Sequence, residues 1–272
     1  MTGLQDFKIN KMIINLSGKT ALVTASSKGI GFAISKALLE AGANVCICSR
    51  NEDNLRAAEQ ALADAGRVFA IAGDIADAEF LKELVARAQE RFESIDILVK
   101  NSGGPPAGEA LSLTEEQWLA AINSNLLSVI RLSSLVIAGM KSRGWGRIVN
   151  LTSTAAREPG AGMALSNVTR AGVAAYTKTL AQEVGPFGIT VNTILTGGVL
   201  TERLNSLLER NTKDTGESLQ DAIARIEKTI PVRHISTPDE FAQMTLFLVS
   251  PQASYINGAA IPVDGGASKS IF

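Results

Sequence analysis

The chain has 272 residues, 46% of them apolar, with 26 Lys and Arg against 27 Asp and Glu and a formal net charge of −1. That length and apolar share can bury a sizeable core within one domain, and interspersed charges of both signs leave no patch that would select nucleic acid or an anionic membrane. A small molecule is the expected partner; with no apolar run of ~20 residues and no signal-peptide pattern at the start, the chain reads as cytoplasmic.

Residues 1–16 read as an N-terminal extension to a single domain covering 1–272. Short β-rich runs follow at Thr20 to Thr24, Asn44 to Ser49, Val68 to Ala72, Ile95 to Val99, Gly146 to Leu151, Thr190 to Ile194 and Ala260 to Val263. Between them, Gly31 to Leu39, Asn54 to Ala65, Glu79 to Phe92 and Ala171 to Val184 carry apolar residues at helical spacing. Seven strands alternating with helices predict an α/β Rossmann fold, a doubly wound parallel sheet with helices on both faces. Two further helix starts are legible: Thr114 with Gln117 three residues on, and Thr237-Pro238 with Glu240. Residues 201–230 break the alternation with Leu204, Leu207, Leu208, Ile223 and Ile226 on amphipathic stretches around the polar turn 213–217. Cys46 and Cys48 stand two apart in one strand, on one face, and read as packing residues rather than metal or redox ligands.

Gly29 and Gly31 open a helix directly after the first strand, where a phosphate can meet free backbone amides and the helix dipole. Ala25 stands where such a turn has its first glycine, which is acceptable provided its φ is negative. The second strand ends in Ser49 and Arg50 rather than an acid that would bond a ribose 2′-hydroxyl, and Lys28 in the turn adds a second cation. Together they predict a grip on a 2′-phosphate, hence NADP(H) over NAD(H).

These segments, with Asn101-Ser-Gly-Gly104, Asn125, Leu151-Thr-Ser153, Val191 to Gly197 and Val263-Asp-Gly-Gly266 in order, resemble the short-chain dehydrogenase/reductase family from about residue 17 onward. The resemblance implies cofactor contacts from Thr24, Ser26, Ser27, Lys28, Gly29, Ile30, Gly31, Ser49 and Arg50. It adds Asp74, Ile75, Asn101, Ser102, Gly103, Arg170, Thr196, Gly197, Val199 and Thr201. Thr196 replaces the family's Pro in a turn over the nicotinamide. The resemblance also implies a homotetramer and makes 201–230 a substrate lid; a surface helical hairpin is the alternative.

The family's catalytic set is Asn, Ser, Tyr and Lys. Asn125 and Ser153 match, Arg170 keeps the Lys charge, and Ser166 occupies the Tyr position. A phenol ionises near ~10 and a nearby cation brings it within reach of neutral pH, whereas a serine hydroxyl is a far weaker acid. Tyr176 and Tyr255 lie elsewhere, and the position from which some relatives supply a compensating Tyr is Ala155. Donors without an acid can stabilise a developing oxyanion, which suits hydride addition to an activated C=C. Ketone or alcohol redox with a substitute acid, from Arg157, Glu158, Lys100 or His234, is the alternative. A non-catalytic NADP(H)-binding sensor or partner subunit is another.

Overall fold

A computed structural model describes residues 13–63, 67–212 and 216–271. Positions 1–12 of the expected extension, the end of the second predicted helix and most of the polar turn at 213–217 lie outside the described residues. The strands are β1 (Thr20–Val23), β2 (Asn44–Ser49), β3 (Val68–Ala72), β4 (Ile97–Lys100), β5 (Gly146–Leu151), β6 (Ile189–Thr196) and β7 (Ala260–Val263). They form one sheet in the order β3-β2-β1-β4-β5-β6-β7, and every pairing is parallel. The strand order reverses between β1 and β4, so a crevice opens beyond their C-terminal ends. Val23 pairs with Val99 there.

The helices are α1 (Gly29–Glu40), α2 (Glu52–Leu62), α3 (Ala78–Phe92), α4 (Glu115–Ala121), α5 (Ser128–Arg143), α6 (Ala164–Val184), α7 (Glu202–Thr212), α8 (Leu219–Glu227) and α9 (Pro238–Leu248). Both expected capping boxes are present: Thr114 with Gln117 starts α4, and Thr237 with Glu240 starts α9. A π-helical segment, Ile122–Leu127, joins α4 to α5. Nothing in the sequence signals it. The continuous helix 115–143 is long and apolar enough along one stretch to pass a length-and-composition test for crossing a membrane. In the fold it packs on α3 and α6.

Side chains alternate across the sheet. Ala21 and Val23 of β1 join Ile34 and Leu38 of α1 and Phe241 of α9 in one core layer. Leu22 joins Leu81 and Leu84 of α3, Leu132 of α5 and Leu180 of α6 in the other. A fully buried leucine stabilises by roughly 1.5–3 kcal/mol, and the central strands β1, β4 and β5 are buried along their whole length, which holds the strand ends that border the crevice. Cys46 and Cys48 both lie in the second layer, as their spacing predicts. Burial pushes both thiols up, Cys48 to about 12, which leaves them protonated and inert.

Candidate active site

The crevice begins at the glycine turn. Beyond β1 the Thr24 hydroxyl accepts from the Asn101 N–H (2.9 Å) and donates to the Asn101 carbonyl (2.6 Å), which ties the turn to the loop after β4. Ser26 Oγ donates to the Val23 carbonyl (2.8 Å) and accepts from the Cys48 N–H (3.1 Å). A Cβ on Gly31 would stand 2.4 Å from the Ala25 carbonyl oxygen and 2.8 Å from Ser26 Cα. Glycine is therefore obligatory there, and Gly29, at φ 59°, needs its freedom for a different reason. Ala25 departs from the sequence expectation. Its φ is +48°, in the left-handed region that costs a non-glycine residue roughly 1–2 kcal/mol. The Asn101 amide, donating to the Ala25 carbonyl at 3.1 Å, helps to hold that conformation.

A groove of about 520 Å³ runs from this turn along the ends of β1 and β4. Ser27, Lys28, Gly29, Ile30, Ser49, Arg50, Asp74, Ile75, Asn101, Ser102, Gly103 and Thr201 line it, together with Asn125. Thr24, Ser26 and Gly31 shape its wall from behind. Thr196, Gly197, Val199 and Arg170 are outside the lining. Thr196 pairs with Val263, Val199 is buried in a bridge to Ser236, and a Cβ on Gly197 would lie 2.5 Å from Asp264 Cβ. A strand, a glycine cradle and a helix N-terminus facing an elongated groove fit a nicotinamide dinucleotide.

The two cations expected to grip a 2′-phosphate both line the groove, but neither stands free. Lys28 Nζ pairs with the Glu202 carboxylate, and Arg50 lies 3.8 Å from Asp74. Ser27 and Ser49 are hydroxyl to hydroxyl at 3.0 Å, joining the turn to the end of β2.

Outside the groove lining, Ser153 caps a 3₁₀ turn, Thr154–Ala156, and its oxygen accepts from the Ala155 N–H at 3.2 Å. That turn, which follows Ser153, and the π segment, which holds Asn125, both pack on α6, the helix that carries Ser166 and Arg170. Ser166, Arg170 and Asn125 are buried. Asn125 accepts from Ser102 Oγ (3.1 Å) and donates to the Ala121 carbonyl (3.3 Å) and Ser124 Oγ (2.9 Å). Arg170 Nη1 donates to the Leu151 carbonyl at 2.9 Å, while its Nε has no partner. Burial and the nearby Arg203 charge pull its pKa down to about 10.

Of the four substitute acids, Lys100 alone is buried. Its ammonium donates to the Ser124 carbonyl at 3.3 Å, and burial, reinforced by the Arg170 charge, holds its pKa well below the ordinary lysine value. Glu158 accepts from the backbone N–H groups of Lys269 and Ser270, and the Ser270 N–H lowers its pKa. A tethered carboxylate of that kind is a poor proton donor. Arg157 donates to the Ala260 carbonyl (2.7 Å), and His234 is exposed and paired with Glu240, which raises its pKa. Tyr176 faces Ser133 and Ser134 of α5, and Tyr255 is fully exposed. Arg203 and Ser124 line the groove without a signal in the sequence beyond standing two residues after Thr201 and one before Asn125.

Residues 24–268 match the family model described as enoyl-(acyl carrier protein) reductase. The chain belongs to the short-chain dehydrogenase/reductase family. It is similar to a 3-oxoacyl-[acyl-carrier-protein] reductase of Vibrio cholerae, 34% identical over 93% of this chain and 98% of that protein. Among solved structures it is similar to L-sorbose reductase from Gluconobacter frateurii complexed with NADPH and L-sorbose. That likeness has a TM-score of 0.92 at 32% identity, over 96% of this chain and 100% of the other. An NADPH-bound short-chain oxidoreductase from Pseudomonas aeruginosa containing an atypical catalytic center is also similar. Its TM-score is 0.86 at 33% identity, over 94% of this chain and 99% of that one. The family is one of oxidoreductases, and the doubly wound, seven-stranded sheet is the one expected from the sequence.

Proposed function

We propose that this chain is an NADP(H)-dependent oxidoreductase with an altered, tyrosine-lacking catalytic set, acting by conjugate addition of hydride to an activated C=C of a small molecule. One observation carries the reading: a serine, Ser166, stands buried at the tyrosine position one helical turn before a buried arginine, with the buried Lys100 close by. The nicotinamide supplies hydride when bound. Asn101 and Gly31 shape its groove, and Lys28 and Arg50 exchange their acidic partners for a 2′-phosphate, which favours NADP(H). Hydride adds to the β-carbon, the C=C electrons move to the carbonyl oxygen, and the Ser153 and Ser166 hydroxyls donate to the resulting enolate oxygen. Arg170 stabilises that negative charge through a low-dielectric setting, and water protonates the α-carbon afterwards.

A second reading is favoured by Lys100. A buried ammonium with a depressed pKa is a competent proton donor, so ketone reduction with Lys100 in the lost phenol's place is the alternative. NADPH consumption with matched enones and saturated ketones separates the two. Turnover of enones alone, reduced at least tenfold in Ser153→Ala, supports conjugate reduction. Ketone turnover abolished in Lys100→Met supports the second reading, and tight NADPH binding without turnover leaves only a nucleotide-binding role.

The same reading takes 1–272 as one cytoplasmic domain with 201–230 as its substrate lid. It takes the assembly as a homotetramer, for which exposed Leu119 on α4 and Val168 on α6 are suited.

A further inference from the structure

The first turn of α7 straddles the groove. Glu202 holds Lys28 on the glycine turn, and the next residue, Arg203, donates from Nη2 to the Gly104 carbonyl at 3.1 Å on the loop after β4. Consecutive residues of one helix thus tie the two banks together. A guanidinium has five N–H donors, and among the described residues that carbonyl is the one hydrogen-bond partner Arg203 has. No carboxylate among the described residues forms an ion pair with Arg203, Arg170 or Lys100.

Arg170 approaches the same point from below. A Cβ on Gly104 would lie 3.0 Å from Arg203 Nη2 and 3.8 Å from Arg170 Nη2, so two guanidinium groups flank one glycine. Arg170 is 8% exposed, and its Nε is buried without a partner. Arg170 is desolvated and Arg203 is exposed beside it; burial first, and then the Arg203 charge, lower the Arg170 pKa, the cost of holding a like charge near a buried one. An anion between them turns that repulsion into charge-assisted hydrogen bonds. Gly104, with no side chain, leaves the space.

We infer that Arg203 and Arg170 form an oxyanion site above Gly104, closed by the first turn of α7, which takes a phosphate or carboxylate group lying in the groove. The occupant's identity rests on the dinucleotide reading above. The same chemistry comes from two sources, the pyrophosphate of the dinucleotide or a carboxylate on the substrate. Thr201, Gly103 and the glycine turn line the same groove as Arg203, which makes the pyrophosphate the expected occupant.

The test is calorimetric binding to the full-length wild type, Arg203→Gln and Arg203→Lys. The ligands are NADPH against adenosine 2′-monophosphate, which lacks the pyrophosphate, and crotonate against crotonamide on protein saturated with NADP+. The expected result is a loss of at least tenfold for NADPH in Arg203→Gln, partly recovered in Arg203→Lys, with adenosine 2′-monophosphate unchanged. A loss confined to crotonate supports the site with the substrate as source. Unchanged affinities throughout overturn it, as do equal losses for adenosine 2′-monophosphate and crotonamide, which mark a general disturbance of α7. Binding is read without turnover, so failure of the redox reading shows separately as absent NADPH oxidation and leaves this result standing.

Discussion

Around the glycine turn the groove's cations, Lys28 and Arg50, are exposed and each has an acidic partner; outside its lining, Lys100 and Arg170 are buried and have none among the described residues. The Lys28 and Arg50 side chains are 60% and 79% exposed, against 1% and 8% for Lys100 and Arg170 as whole residues. Exposed pairs contribute about 0–1 kcal/mol and are screened by salt, so exchanging Asp74 or Glu202 for another anion would cost little. Buried charges have lost their hydration during folding, a penalty of several kcal/mol per ion. The Arg170 guanidinium keeps its charge at a pKa of about 10, so its field is correspondingly unscreened and acts on any negative charge that develops nearby. One set suits reversible selection of a ligand; the other suits stabilisation of a charge that exists only during reaction.

With a dinucleotide in the groove, Gly31→Ala has the largest effect. The added Cβ meets backbone atoms on two residues, so NADPH affinity falls by at least ~100-fold, a loss of about 3 kcal/mol, measured by calorimetry. Normal binding would place the nucleotide elsewhere and dissolve the comparison. Arg50→Ala sharpens it around the glycine turn: NADPH affinity falls by roughly tenfold, about 1.4 kcal/mol, while NADH affinity holds, and the difference shrinks at high salt. An unaltered NADPH to NADH ratio would remove Arg50 from cofactor selection.

Lys100→Met probes the buried set with the smallest effect. The unfolded lysine titrates near its ordinary value of about 10.4, and the folded one titrates lower. Between those values the unfolded chain binds more protons, so stability rises with pH across that window. Removing the amine therefore raises the melting temperature at neutral pH by about 2–4 °C, or about 1 kcal/mol, and the gain fades as pH approaches 10.4. Calorimetric scans at neutral pH and above pH 10 check this; a pH-independent difference would mean the ammonium is not strained by burial.

Much of this was legible in the chain. The alternation of apolar runs gives seven strands, because a strand buried on both faces must be apolar along its length. Thr114 and Thr237 announce their helices through local capping chemistry that needs no distant partner. The glycine turn is legible for the same reason. Ala25 was not: whether its φ is positive depends on how Asn101, 76 residues away, meets its carbonyl. Glu158 shows the same limit from the other side, since its acidity is set by amides at the C-terminal end.

Sequence by itself determined the sheet, the order of the motifs and the absence of a tyrosine at position 166, all of which follow from residue type and spacing along the chain. Tertiary structure decided the electrostatics. Burial lowered the Lys100 pKa and left the Arg170 cation unscreened, pairing muted Lys28 and Arg50, and the fold of α7 carried Arg203 across the groove to Gly104. Charge is written in the sequence, but its strength depends on the solvent and partners that surround it, and only the folded chain supplies those.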